Sequence, residues 1–468
     1  MHSPNTFHKA GRPAGPHILA QWLIQFGFTV KVIDFSSGMS TADLVSITRK
    51  YIDSTSVAVG ISSTFWDDNS RYTGKKDPKL IASIFQNHAN DPPDWVVAAR
   101  SQIESSFPNL DWILGGANSG SLLTNTWLRF HQYPEDQLRK YLDEKLSLSR
   151  THVPFNILTN TGTYMDSLGI RPEEALGIEW GRGCIFKCRF CRYKSIGKKK
   201  GTYLRDPDLV RQDLILNYEK YGTTRYIYVD DTTNESLEKV ESMARVAQSL
   251  PFEVEWVGYG RLDLIGTEKA TINLLRESGL RSIFFGIESF NKEASKIVGK
   301  AWNGIYGKEF VLELKQQWGD ETGFYLGFIA GLHPETSEEL EDTLQWCIQH
   351  KIGSWQFIPL SVTSVPLLDS SEFDRRCSEF GYSFPIPDRP NYWVNGHWNS
   401  TSASEVAEDL NRRSNPFVMP GGFVVSDIAG LTGESFKDTM HQKPDWSLVT
   451  NRSDEIIKDY VKYQLSIE

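Results

Sequence analysis

Between residues 225 and 360 the chain repeats one unit, a short apolar run followed by a helical stretch. The runs are "RYIYVDD" (225–231), "FEVEWVGYG" (252–260), "RSIFFGIES" (281–289), "TGFYLGFIAGL" (322–332) and "GSWQFIPL" (353–360). They are rich in β-branched and aromatic residues and largely apolar on both faces, as strands covered on both sides are. Helical periodicity fills the stretches between them, for example "SEELEDTLQWCIQH" (337–350). Strand and helix in alternation make the strands parallel. With a strand ahead of Cys184 there are six units, which predict a partial (β/α)6 TIM-like barrel over residues 161–368. Its active face lies at the C-terminal ends of the strands.

The first 160 residues alternate in the same way and predict a doubly wound, Rossmann-like α/β domain. "HILAQWLIQFG" (17–27) reads as a helix and "TVKVIDF" (29–35) as a strand. A second strand is "SVAVGISSTF" (56–65), "PDWVVAARSQIESSF" (93–107) is a helix, and "DWILGGANS" (111–119) is a third strand. Ligands of such sheets bind at the carboxyl ends of the strands. Here those ends carry Ser62, Ser63 and Thr64 on one strand and Gly115 and Gly116 on another. All five are small enough to let a large cofactor approach the backbone. Residues 120–175 are polar and read as a linker, and residues 369–468 as an irregular, Pro-, Gly- and aromatic-rich region closed by a helix, "SDEIIKDYVKYQLS".

Fifty Lys and Arg against 59 Asp and Glu leave a formal charge of −9, which argues against a general coat for nucleic acid. The exception is local: Arg182, Lys187, Arg189, Arg192, Lys194, Lys198, Lys199, Lys200 and Arg205 surround one group of cysteines. That is a solvated basic loop or a positive mouth for an anionic ligand. No apolar run is long enough for a membrane span, and "MHSPNTFHKAGRPAG" has no secretory apolar core. Five cysteines, an odd number with three clustered, do not make a disulfide framework and fit a reducing cytoplasm.

The three, Cys184, Cys188 and Cys191 in "GRGCIFKCRFC", form C-x3-C-x2-C directly after a strand. A loop this short lets each thiolate reach a different metal of one cluster. Zinc would want a fourth ligand and commonly uses paired C-x2-C halves. Cys347 sits within a helical pattern and Cys377 lies beyond the last barrel strand. Three thiolates on a four-iron, four-sulfur cube instead leave one iron open for a reactive ligand.

That spacing after the first strand of a β/α barrel, with Phe190 just before the third cysteine, resembles the radical S-adenosylmethionine superfamily. "FFGIESFNKEASKIVGK" (284–300) is similar to the fourth-strand segment of that family. "GFIAGLHPETSEELEDT" (327–343) resembles the fifth, with His333-Pro334 in place of Pro-Gly. "VDDTTNE" (229–235) is similar to the Asp-Asp variant of the cobalamin-linked branch. The resemblance implies a 4Fe-4S cluster on Cys184, Cys188 and Cys191 whose open iron binds S-adenosylmethionine. One electron then cleaves the sulfonium to a 5′-deoxyadenosyl radical. It further implies that the backbone beside Phe190 pairs with the adenine edge, and that Asp230 or Asp231 accepts from the methionyl ammonium. Glu288 would contact ribose or ammonium, and Ile329 and Gly331 would floor the adenine. Arg261 would hold the methionyl carboxylate or else form a surface ion pair.

A doubly wound domain ahead of such a barrel resembles the cobalamin-binding domain of the same branch, with "SSTF" and "GGANS" at the matching strand ends. Thr6-Phe-His8-Lys-Ala-Gly11 keeps His and Gly of the cobalt-ligating Asp-x-His-x-x-Gly pattern but lacks its Asp. His8 therefore reads as a surface histidine, with cobalt held without a protein imidazole. The family's first strand would precede "PNTFHKAGRPAGP", so either the sheet is one strand short or the natural start lies upstream. The implied function is cobalamin-dependent methyl transfer to an unactivated carbon of a small-molecule or peptide substrate. An electron donor such as flavodoxin or ferredoxin would drive it, without membrane or nucleic acid. The alternatives are a radical enzyme without cobalamin (isomerising, cyclising or methylthiolating) and a non-catalytic metal- or RNA-binding module. Trp393, His397 and Trp398 are expected to cap the barrel mouth.

Overall fold

The computed structural model describes residues 11–62, 92, 94–116, 127–130, 134–149, 155–156, 162–164, 169–191, 204–300, 304–365 and 370–467. Two parallel sheets organise them. The first contains β1 (Ala58–Ser62), β2 (Asp111–Gly115) and β3 (Leu128–Phe130), side by side in that order. Leu44 and Val45 of helix Thr41–Tyr51 and Val96, Ala99 and Ile103 of helix Asp94–Glu104 pack with Trp112 and Leu114 of β2.

Residues 29–35 belong to no strand of the described sheet, against the sequence expectation, and Phe35 at their end takes φ 59°. Their polar groups are spent elsewhere. Lys31 lies over the Tyr51 ring at 4.6 Å, and the Asp34 backbone N–H donates to Tyr460 Oη at 3.0 Å. The stretch expected to be a linker holds β3 and helix Pro134–Lys145. That helix buries only a thin stripe, with Leu142 packed beside Leu138, Tyr141 and Trp22. Its buried face also includes the charged Glu135 and Arg139, which hides the periodicity.

The second sheet runs β4 (Leu176–Ile178), β5 (Arg225–Tyr228), β6 (Glu255–Gly260), β7 (Leu280–Glu288), β8 (Gly323–Ala330) and β9 (Ser354–Pro359), all parallel and in chain order. Alternate residues face opposite sides. Tyr228, Trp256, Phe285, Leu326 and Phe357 belong to the core shared with the covering helices. On the concave side, Val257 packs with Val425, Ala429, Phe436 and Met440 of the C-terminal region. Gly421 and Gly422 enter there: a Cβ on Gly421 would stand 2.5 Å from Ser354 Cβ, and Gly422 takes φ 56°. A side chain at either position would push this floor out of the barrel.

The C-terminal region is more helical than its composition suggests, with helices Ser400–Ser414, Phe423–Thr432 and Trp446–Ser466. The first of these guards β9. Asn411 Oδ1 accepts from the Phe357 N–H at 2.9 Å and its Nδ2 donates to the Phe357 carbonyl at 2.7 Å. One side chain thus satisfies both backbone groups on the outer side of the last strand.

Three distant parts of the chain meet at Asp34. Arg12 donates to Asp34 Oδ2 at 2.6 Å and to Glu174 Oε1 at 2.7 Å, and His17 Nε2 lies 2.9 Å from Asp34 Oδ1. Burial alone would raise the Asp34 carboxyl, but the hydrogen bond and charge of His17, then of Arg12, outweigh it and hold it below its usual range. This lowered value contributes stability above the ordinary aspartate pKa, and the contribution is lost as pH falls through the folded-state value. Asp34→Ala is expected to lower stability by about 3–5 kcal/mol by leaving a buried cation partly uncompensated. Denaturant unfolding near neutral pH should show a lower midpoint, and the deficit relative to wild type should shrink in acid.

Candidate active site

The cysteine loop leaves β4 through Gly183, at φ 84°, and is anchored on the segment after β7. Arg189 N–H donates to the Val298 carbonyl at 3.0 Å and its guanidinium to the Ile297 carbonyl at 2.8 Å. Gly299, at φ 82°, lies underneath, where a Cβ would sit 3.4 Å from the Lys187 carbonyl oxygen and 3.7 Å from Cys188 Cα. The Arg189 carbonyl accepts from Phe373 N–H at 3.0 Å, which adds a hold from the C-terminal region. Cys184, Cys188 and Cys191 form no disulfide and are half-buried.

Cys184 and Cys188 each meet a polar group from a strand end. Cys184 Sγ is 3.3 Å from Thr232 Oγ1, just past β5. Arg261, just past β6, donates from Nη1 to Cys188 Sγ at 3.1 Å. Its guanidinium is fixed by Asp263 at 3.0 and 2.6 Å and stands over the Phe186 ring at 4.1 Å. Arg261 therefore spends its donors on Asp263 and a cysteine sulfur.

The strand-end carboxylates are neutralised in place. Asp230 is buried 2.5 Å from Lys239 Nζ and accepts the Trp180 N–H at 2.7 Å. Burial pushes this carboxyl up and Lys239 pulls it down. Lys239 also donates to Glu235 and to the Thr232 carbonyl, each at 3.1 Å. Asp231 beside it is half-buried. Glu288 stands at the end of β7 with φ 66°, a conformation non-glycine residues rarely adopt, at a register shift between β7 and β8. Its carboxylate pairs with Lys300 Nζ at 2.8 Å. Such a local outlier at a strand end is a recurrent mark of a functional position.

Phe190 is half-buried against the barrel core, and Ile329 is buried on β8. Gly331 takes φ 104°, and the C-terminal region leaves no room for a side chain there: a Cβ would lie 2.6 Å from the Trp393 ring. Its carbonyl accepts from Tyr382 Oη at 2.9 Å and Asn395 Nδ2 at 3.2 Å. Trp398, also buried, donates to the Glu335 carbonyl at 2.7 Å, while His397 is exposed and stacks on His333 at 5.7 Å. Of the expected basic mouth, Arg182 is held by Glu179 and Glu135 at 2.7 Å, and Arg205 by Asp213 at 2.5 Å. Arg192, Lys194, Lys198, Lys199 and Lys200 lie outside the described residues.

In the first domain Ser62 and Gly115 are register partners at the ends of β1 and β2. Gly116 follows at φ 99°, and a Cβ on Gly115 would meet no atom within 4 Å. Ser63, Thr64 and His8 lie outside the described residues.

Sequence reasoning missed Thr232, Lys239, Lys300 and Glu335. The sequence singled out none of the four: Thr232, Lys300 and Glu335 stood only as members of quoted segments. In fact Glu335 is buried, takes the Ser289 hydroxyl at 2.6 Å, and is pushed up by burial to about 8. A raised carboxyl pKa contributes stability that is complete below the unfolded-state pKa and is lost as pH rises toward 8. Glu335→Gln keeps an acceptor for Ser289 and has no proton to lose. Between pH 5 and pH 8 the wild type is expected to lose up to about 1.4 kcal/mol per unit relative to this variant, readable as diverging melting temperatures.

Residues 178–347 match the family model of the radical SAM superfamily. An uncharacterized methyltransferase of Pyrococcus horikoshii is 28% identical over 200 residues, which span 41% of this chain and 42% of that protein. The structure is similar to the radical S-adenosylmethionine methyltransferase TsrM from Kitasatospora setae, solved with cobalamin and a [4Fe-4S] cluster. Over 98% of both chains the TM-score is 0.63 at 14% identity. It is also similar to the cobalamin-dependent S-adenosylmethionine radical enzyme OxsB with aqua-cobalamin bound, at TM-score 0.54 and 12% identity, over 96% of this chain and 77% of that one. No helix of the described residues is long and apolar enough to cross a membrane. The barrel of this chain, with its cysteine loop over the strand ends, is thus similar to the radical SAM superfamily of enzymes over residues 178–347.

Proposed function

We propose that the protein is a cobalamin-dependent radical S-adenosylmethionine methyltransferase acting on an unactivated carbon. The observation that carries this reading is the three-thiol loop fixed over the C-terminal ends of β4 to β7. Among the described residues no three His, Cys, Asp or Glu side chains gather as one metal ion would require. A cube gives each of three thiolates its own metal and leaves one iron open, whereas a tetrahedral zinc would want a fourth ligand. The open space at Gly115 and the small strand ends of β1 and β2 suit a bulky corrin. The whole-chain likeness to TsrM and OxsB supports both assignments.

When bound, the cluster supplies the electron that cleaves S-adenosylmethionine and cobalamin carries the methyl group. The chain's own part is placement. Cys184, Cys188 and Cys191 hold the cluster, with Arg261 donating to the Cys188 sulfur. Phe190, Asp231, Glu288, Ile329 and Gly331 line the strand ends where the methionyl and adenosyl parts are received. Asp230 acts at one remove, by fixing Lys239 and the Trp180 backbone. Ser62, Ser63, Thr64, Gly115 and Gly116 receive the corrin. The enzyme works in the cytoplasm with flavodoxin or ferredoxin as donor.

Protein purified without oxygen from cells given iron and cobalamin should hold about four irons and one cobalt per chain, and cleave S-adenosylmethionine under a strong reductant. Cys184→Ala, Cys188→Ala and Cys191→Ala should each lose the cluster's ultraviolet–visible absorption while keeping the wild-type far-ultraviolet circular dichroism. Iron without cobalt would remove the methyltransferase assignment and leave a radical enzyme of another type, whereas zinc in place of iron would remove both. Arg261→Gln should retain iron and shift its reduction potential negative, because a donor to a ligand sulfur favours the reduced state.

A further inference from the structure

The concave face of the barrel has an aromatic upper layer that the C-terminal region does not fill. Val229, Tyr259, Phe284, Tyr325, Gln356 and Ile358 occupy successive inward positions from the end of β5 to β9, alternating with the outward core residues. Tyr259 and Phe284 meet edge to face at 5.4 Å, as do Phe284 and Tyr325 at 5.1 Å. Below them Phe423 lies 4.1 Å from Tyr259, and Gly422 fits against Tyr325 and Phe284. Gly327 makes room for the tilted Phe284 ring, whose Cζ stands 2.5 Å from the place of a Cβ. Above that floor, Val229 is 39%, Tyr259 42% and Ile358 41% exposed. These values mark open apolar surface on strands whose opposite sides are fully packed.

None of the six side chains carries a charge. Two ionic groups at the rim are matched on the spot, Glu288 by Lys300 and Arg261 by Asp263, and the further charge there, Asp231, is a carboxylate. A charged group entering this layer would be desolvated without a counterion, which is costly. One polar handle remains. Tyr325 donates to Gln356 Oε1 at 2.7 Å, and burial pushes its phenol up, so it stays protonated. Gln356 Nε2 donates to no described group.

We infer that this layer is a binding site for an uncharged, flat aromatic ring bearing a hydrogen-bond acceptor, which packs against Tyr259, Phe284 and Ile358 and is read by Gln356 Nε2. Edge-to-face packing favours a planar ring over an aliphatic group of equal area. The inference deepens the reading above and rests on it, since the ring would be the part of the substrate held under the cysteine loop.

Equilibrium dialysis of the anaerobically purified full-length protein tests it with three probes. Quinoline is flat, neutral at pH 8 and carries a ring nitrogen as acceptor; naphthalene has its shape without the acceptor; 1-naphthoate is charged. Quinoline should bind about fivefold more tightly than naphthalene, the worth of one hydrogen bond, and 1-naphthoate more weakly than either. Gln356→Leu should abolish the preference for quinoline while naphthalene binds as before. Ile358→Trp, which fills the layer, should weaken all binding at least tenfold while iron content and unfolding midpoint show that the variant is folded. Tightest binding of 1-naphthoate, no binding of quinoline, or unchanged binding in folded Ile358→Trp would each overturn the inference. Reductive cleavage of S-adenosylmethionine, measured separately on the wild type, keeps the two failures apart. Cleavage without quinoline binding sinks the ring site alone. Quinoline binding that obeys both variants, in protein that neither holds iron nor cleaves S-adenosylmethionine, sinks the enzyme reading and supports the ring site.

Discussion

A six-stranded parallel sheet that curves without closing has an exposed last strand and an interior with no opposite wall. The C-terminal region answers both. Asn411 pairs with the backbone of β9 at Phe357, and Gly421 and Gly422 carry the chain across the concave face so that Val425 and Ala429 meet Val257. Glycines suit that crossing, because a Cβ on Gly421 would collide with Ser354 and Gly422 takes φ 56°. The filling stops partway up. What lies above it, beneath the cysteine loop, is the space in which chemistry can be done, so the shape of the active site is set by a segment that carries none of the cysteines.

Charge near that space is handled by pairing on the spot. Asp230 with Lys239, Glu288 with Lys300 and Arg261 with Asp263 are all held at strand ends and largely buried. Buried pairs of this kind add little net stability, but removing one member leaves the other uncompensated. They make the rim rigid and nearly neutral. Arg261 shows the use of this: its charge is answered by Asp263, yet a guanidinium N–H still points at the Cys188 sulfur.

The barrel was readable in the sequence because its strands are apolar on both faces, a pattern few alternatives can absorb. The cysteine loop was readable because three thiols in one short loop have few uses. Residues 29–35 misled because β-branched residues signal extended backbone, and whether such a stretch pairs depends on partners elsewhere, here Tyr51 and Tyr460. Helix Pro134–Lys145 was hidden by its charge, and the C-terminal helices by the prolines and glycines around them. At the site, local sequence identified Asp230, Glu288 and Arg261 as strand-end groups. It did not reveal their partners, since Lys239 and Lys300 become visible only when the helices dock. Gly331 gives the same lesson: the room a side chain would need there is taken by Trp393, far along the chain.

The bond between the Asp34 backbone and Tyr460 spans 426 residues. At ribosomal rates, about 5–20 residues per second, roughly 20–90 s separate the synthesis of its two ends. The last barrel strand ends at Pro359, so only in the final part of that interval is the barrel sequence complete while the helix Trp446–Ser466 has not been made. The nascent chain thus passes through a stage of about 3–12 s in which the thiol loop and the barrel strands exist and the concave face still lacks its floor. Metal delivery to the growing polypeptide would meet the cysteines from a side that the finished protein closes.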